Sequence, residues 1–136
     1  MLISQTETIN APSDNIWNTL CSLEGAEQYI PIVTKSCVVG NGVGATRTCD
    51  IQMGEQSFQI QETLRNIDNS NKTITISIDN APPPMNGLVI DFALKDTDEI
   101  SQIQVSTETE NNPENAEMIQ GILKMICDGL KQHHEK

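Results

Sequence analysis

The chain has 136 residues and carries 8 Lys+Arg against 19 Asp+Glu, a formal charge of −11; a field of that sign repels phosphate backbones and anionic lipid headgroups, which argues against nucleic acid and membrane surfaces as partners. The length favours one domain spanning residues 1–136, which should bury about 68% of its unfolded surface, enough for a core with a modest cavity beside it. No apolar run of about 18 residues and no charged-then-apolar leader occurs, so the expectation is a soluble chain without a secretory leader or membrane insertion.

In chain order, residues 2–10 alternate as a strand with Ile3 and Ile9 on one side, where Gln5 and Glu7 also fall. Ala11-Pro12-Ser13 breaks the strand and starts a helix, with Ser13 as the expected N-cap and Asp14 in the first turn. Ile16, Trp17, Leu20 and Leu23 follow at helical spacing, and Trp17, on that stripe without basic neighbours, reads as a packing anchor. Residues 24–26 end this helix, and 27–30 form a second short turn stopped by Pro31. Tyr29 and Ile30 should close one end of the structure.

A strand over 34–39 leads through Gly40-Asn41-Gly42 into the most informative stretch, residues 42–64. It holds two alternating runs, 45–53 and 56–64, separated by Gly54-Glu55, a pair suited to a type II′ hairpin turn. This predicts a register in which Met53 meets Gln56, Ile51 meets Phe58, Cys49 meets Ile60, Arg47 meets Glu62 and Ala45 meets Leu64. Alternation then puts Arg47 and Glu62 on the apolar face. The preceding loop is either Asn41-Gly42 or one residue longer, which decides whether Ser36 or Cys37 faces Arg47.

Two readings of the charge pair stay open. It is either a structural ion pair across the strands or a polar anchor in an apolar cavity, with Arg47 offering donors to a ligand carboxylate or enolate and Glu62 orienting it. A one-residue register slip would turn both toward solvent.

A polar turn at 68–71 precedes a strand over 72–79 with Ile74, Ile76 and Ile78 inward. Pro82-Pro83-Pro84 makes a stiff connection. The next strand, 87–95, carries Leu88, Ile90, Phe92 and Leu94 on one face, residues 95–99 form a turn, and a last strand over 100–110 turns Ile103 and Val105 inward. Asn112-Pro113-Glu114 combines an N-cap, a proline at the first helical position and an early acid. The helix it opens has a broad apolar face of Met118, Ile119, Ile122, Leu123, Met125, Ile126 and Leu130. Its length, about 30 Å, spans a sheet. Gly121 and Gly129 should permit close approach to that sheet, and residues 131–136 read as a frayed tail. The methionines either line an adaptable pocket or are plain core.

Cys21, Cys37, Cys49 and Cys127 form no CxxC, and His133 and His134 sit in a polar tail, so no zinc site is expected. Buried free thiols in a reducing, cytoplasmic setting are the expectation. The Gly-x-Gly-x-x-Arg at 42–47 precedes a strand rather than a helix, which fails as a phosphate loop, and no cofactor is expected.

The order of elements is α+β, with helices on one side of an antiparallel sheet. The segments Ile9-Asn10-Ala11-Pro12, Ile16-Trp17-Asn18-Thr19-Leu20, Glu24-Gly25-Ala26, Tyr29-Ile30-Pro31, Gly42-Val43-Gly44-Ala45-Thr46-Arg47, Glu62 and the terminal amphipathic helix together resemble the START-like (SRPBCC) superfamily, which includes polyketide cyclases, aromatase/cyclases, Bet v 1-type proteins and lipid-transfer domains. The resemblance covers nearly the whole chain. It implies a helix-grip fold, in which a curved antiparallel sheet wraps a long C-terminal helix, with short helices after the first strand and a hydrophobic cavity between sheet and helix.

The leading expectation is a monomeric or homodimeric protein that binds a small hydrophobic molecule, of lipid, polyketide or aromatic type, in that cavity. The residues expected to line it are Arg47, Cys49, Met53, Phe58, Ile60 and Glu62 on the hairpin, Ile76, Ile90 and Phe92 on later strands, and Met118, Ile122 and Met125 on the final helix. The alternative is a cyclase or dehydratase-like enzyme with Glu62 as general acid or base and Arg47 stabilising an enolate. A carboxylate permanently paired with arginine is a weak base, which counts against it. A third reading is an interaction module whose groove holds another protein's segment, marked by a large exposed apolar patch.

Overall fold

A computed structural model of the chain describes residues 1–97 and 99–135. The elements in chain order are β1 (Leu2–Ile9), α1 (Ser13–Ser22), a 3-10 turn (Ala26–Gln28), β2 (Val33–Val39), β3 (Thr46–Met53), β4 (Gln56–Asp68), β5 (Thr73–Asn80), β6 (Val89–Thr97), β7 (Ile100–Glu108) and α2 (Pro113–His134). The strands form one antiparallel sheet in the order β1-β7-β6-β5-β4-β3-β2, so every neighbouring pair but β1-β7 is joined directly along the chain.

The inner face of this sheet follows from period-two alternation. Ile74, Ile76 and Ile78 of β5, Ile90, Phe92 and Leu94 of β6, and Ile103 and Val105 of β7 are all buried; between them Asp91 and Gln104 are exposed, Thr75 and Ala93 are half-buried, and Ser77 is buried. Strand β4 shifts register against β5 between Gln61 and Glu62 and again between Leu64 and Asn66. Each bulge bends the strand and adds twist, which curves the sheet.

Helix α2 fills the resulting concavity. Asn112 caps it, its side chain accepting from the backbone N–H groups of Glu114 and Asn115 at 3.1 and 3.2 Å. The helix leans mainly on β1, with further contacts to β7 and α1. Ile119, Leu123, Ile126, Cys127, Gly129 and Leu130 are its buried residues. Trp17 is buried in the same core and donates from Nε1 to Asn69 Oδ1 at 3.2 Å, so it serves as the anchor its spacing predicts.

The structure corrects several expectations. Ser13 is the first helical residue rather than the N-cap. Extended Pro12 takes the cap position, and the buried Ser13 hydroxyl accepts from Lys72 Nζ instead. Strand β6 continues to Thr97, pairing Lys95 with Gln102 and Asp96 with Ser101, so most of the turn placed at 95–99 is strand; Asp98 lies outside the described residues. The presumed frayed end is helical through His134 and tied down: Lys131 Nζ donates to Thr8 O at 3.0 Å, and Asn10 N donates to Glu135 Oε2 at 2.8 Å. Lys136 lies outside the described residues.

Two glycines on α2 differ from expectation and from each other. A Cβ at Gly121 meets nothing within 4 Å, whereas one at Gly129 would lie 1.6 Å from the carbonyl oxygen of Tyr29. The close approach is therefore to the loop after the 3-10 turn rather than to the sheet.

Candidate functional site

The site is built on the β3–β4 hairpin. Gly54 has φ of +61° while Glu55 stays at negative φ, the pattern a type II′ turn demands. That turn pairs Met53 with Gln56, Ile51 with Phe58, Cys49 with Ile60 and Arg47 with Glu62. The ladder continues one step further, Leu64 N donating to Ala45 O at 2.9 Å. Parity then turns the guanidinium and the carboxylate toward the interior, where Arg47 is 4% and Glu62 6% exposed.

On the other side of β3 the expectation fails. Val38 faces Arg47, while Cys37 pairs with Thr48 and Ser36 with Cys49. The connection is longer than a tight hairpin loop: β3 begins only at Thr46, and Gly40, Gly42 and Gly44 all take positive φ. Neither Ser36 nor Cys37 is therefore a neighbour of the charge pair across the strands.

The pair is a fork. Arg47 Nε donates to Glu62 Oε1 at 2.8 Å and Nη2 to Oε2 at 3.1 Å. Nη1 donates to the backbone oxygen of Leu23 at 3.1 Å and reaches the Tyr29 hydroxyl oxygen at 3.5 Å. Burial disfavours the charge on Arg47, but the adjoining Glu62 carboxylate more than offsets this and holds the guanidinium above its usual range. Among the described residues no buried side-chain nitrogen or oxygen lacks a partner. The structural ion-pair reading accounts for this geometry.

Cys49 completes the polar end, its Sγ donating to Glu62 Oε1 at 3.5 Å. Burial pushes its thiol pKa up to about 12, and Cys127 is pushed up to about 12 for the same reason. Such a thiol at pH 8 is thiolate in only about one molecule in ten thousand, which makes Cys49 a poor nucleophile. All four cysteines are free, and Cys37, expected to be buried, is exposed on β2. Iodoacetamide at pH 8 should alkylate Cys37 readily while Cys49 and Cys127 stay unmodified until denaturant is added. Peptide mass spectrometry reads this, and early labelling of Cys49 would contradict the burial described.

Next to the pair lies a largely enclosed cavity of about 60 Å³. Of the twelve residues expected to line it, Arg47, Cys49, Ile60, Glu62, Ile76, Ile90, Phe92 and Ile122 do so. Four do not. Met53 and Phe58 flank the hairpin turn and pack on a small satellite cluster around Cys49, Ile51 and Ile60. Met118 is 37% exposed because α2 leans toward β1 and carries that side of its first turns outward. Met125 instead borders an open surface groove with Pro31, Lys124 and Gln132.

The sequence reading missed Tyr29, Ile30, Ile32, Val33, Ile51, Ile78, Met85 and Ile126 as lining residues. Ile51, Ile78 and Ile126 carried a usable signal, since each lies on the inner face of its element. Tyr29, Ile30, Ile32 and Met85 sit in connections without periodicity, and only long-range packing brings them to the wall. No group of three or more His, Cys, Asp or Glu among the described residues is placed to hold a metal ion, and no described helix is long and apolar enough to cross a membrane.

A curved seven-stranded antiparallel sheet around one long C-terminal helix, with an apolar cavity between them, defines a helix-grip protein of the START-like (SRPBCC) superfamily. The chain belongs to the family described as polyketide cyclase / dehydrase and lipid transport, which it matches over residues 2–135. No curated protein matches it. Among solved structures it is similar to an uncharacterized protein from Bacillus thuringiensis, with 18% identity, a TM-score of 0.83 and 100% of each chain covered. It is similar also to the Zhui aromatase/cyclase from Streptomyces sp. R1128, with 15% identity, a TM-score of 0.80, and 99% of this chain and 93% of that one covered. Ginseng major latex-like protein 151 from Panax ginseng gives 12% identity and a TM-score of 0.80, covering 100% of this chain and 98% of that one. At such identities the likeness is one of fold.

Proposed function

We propose that the protein binds a small hydrophobic molecule in the cavity between sheet and α2. The observation that carries this reading is a cavity walled by aliphatic and aromatic side chains from β3, β4, β5, β6, α2 and the loop before β2, with its polar groups gathered at one end. A volume of about 60 Å³ is far below the roughly 300–1,000 Å³ of pockets that hold drug-sized ligands. That is about two waters' worth of space, so even a compact molecule needs the walls to give a little, and a lipid or fused aromatic would have to displace the loop around Tyr29 or shift α2.

An enzymatic reading has less support. Both oxygens of Glu62 are engaged by Arg47, the Cys49 thiol is protonated, and no histidine lines the cavity among the described residues. Among the described residues, the one carboxylate at the cavity is held by the guanidinium, which stabilises its charged form and weakens it as the general base that cyclase or dehydratase chemistry requires.

The test is a titration of isoleucine-methyl-labelled protein with butanone, toluene, cyclohexanone and decanoic acid, followed by NMR. Saturable shifts are expected at Ile76, Ile90 and Ile122 for the compact members, with surface methyls such as Ile100 unmoved. Methyls that stay silent to all four compounds would overturn the binding reading.

A further inference from the structure

The polar end of the cavity is balanced in charge but not in hydrogen bonds. Arg47 and Glu62 neutralise each other through two contacts, so a ligand carboxylate would bring an uncompensated negative charge into an apolar enclosure. An ammonium would bring an uncompensated positive one. Tyr29 differs. It is only 5% exposed, lines the cavity, and its hydroxyl oxygen accepts from Arg47 Nη1 at 3.5 Å. Its own O–H donates to no acceptor among the described residues, although a phenol is both donor and acceptor.

We infer that the occupant is a neutral molecule carrying a hydrogen-bond acceptor, such as a ketone or ester carbonyl, and that the Tyr29 O–H recognises it. This rests on the binding reading above and adds the chemical class. The cationic donor at the phenol oxygen polarises the O–H and makes it a stronger donor. The apolar wall gives that donor no competing partner, so an acceptor placed there forms a bond that water no longer contests. Arg47 acts here as a positioning residue: it holds Leu23 O and the Tyr29 hydroxyl through one nitrogen and thereby sets the phenol against the cavity.

Three molecules of the same five heavy atoms and nearly the same shape separate the possibilities: butanone, 2-methyl-1-butene and propanoate. Titrated into the wild-type chain by NMR, butanone and 2-methyl-1-butene should bind and propanoate should not. Tyr29→Phe should weaken butanone about tenfold and leave 2-methyl-1-butene within about twofold, because one hydrogen bond is removed from one ligand only. The carbonyl stretch of 13C-labelled butanone bound to wild type should fall below its value in hexane. Equal effects of Tyr29→Phe on both neutral ligands, tight propanoate binding, or a carbonyl band at its hexane position would overturn the inference while the binding reading stood. Failure of all three molecules to bind would overturn both. Should Tyr29→Phe not fold, the infrared band and the propanoate comparison, both made on the wild type, decide alone.

Discussion

Gly129→Ala is expected to destabilise the protein by more than about 3 kcal/mol, beyond the usual range for overpacking, or to prevent folding altogether. The added Cβ would sit 1.6 Å from Tyr29 O and 2.7 Å from Tyr29 C, and both are backbone atoms that no rotamer change can move. Relief requires α2 or the Tyr29 loop to retreat. Either movement separates the Tyr29 hydroxyl from Arg47 and opens the wall of the cavity. Gly121→Ala, on an exposed part of the same helix with open space at the Cβ position, should instead stabilise by up to about 1 kcal/mol through helix propensity. Thermal melts of the two variants should therefore move in opposite directions. A Gly129→Ala protein melting within a few degrees of wild type would mean that the helix does not approach the loop as described.

Breaking the charge pair from one side comes next in size. Arg47→Met or Glu62→Leu alone should cost about 3–5 kcal/mol, since each leaves a buried charge without its partner. Replacing both together should cost far less than the sum of the two, because an apolar pair of similar volume removes both desolvation penalties. Recovery will not be complete, because losing Arg47 also strips Leu23 O of its donor at 3.1 Å. Urea unfolding of the four proteins in this cycle measures the coupling. Single variants as stable as wild type would show that the pair is hydrated rather than enclosed.

Much of the architecture was readable beforehand because local rules act within short windows. A glycine followed by a non-glycine between two alternating runs selects one turn type, and that turn sets every pairing of the hairpin down to Arg47 with Glu62. Asn112-Pro113-Glu114 starts α2 for reasons confined to one helical turn. The β2–β3 connection was misjudged because three glycines at positive φ support a wide loop as readily as a tight one. Met118 and Met125 share the apolar stripe of α2, yet amphipathic spacing marks a face about 100° wide without saying which edge meets the sheet.

By itself the amino-acid sequence determined the order of the elements, the inward parity of the hairpin and the presence of an opposite-charge pair on a buried face, since alternation and turn chemistry depend only on neighbours in the chain. Tertiary structure alone decided that Leu23 and Tyr29 share the guanidinium with Glu62, that Gly129 lets the Tyr29 backbone touch α2, and that Met85 and the loop before β2 close the cavity. These contacts join residues far apart in the chain and lying in aperiodic segments. Their positions follow from how a curved sheet and a tilted helix pack, which no local pattern encodes.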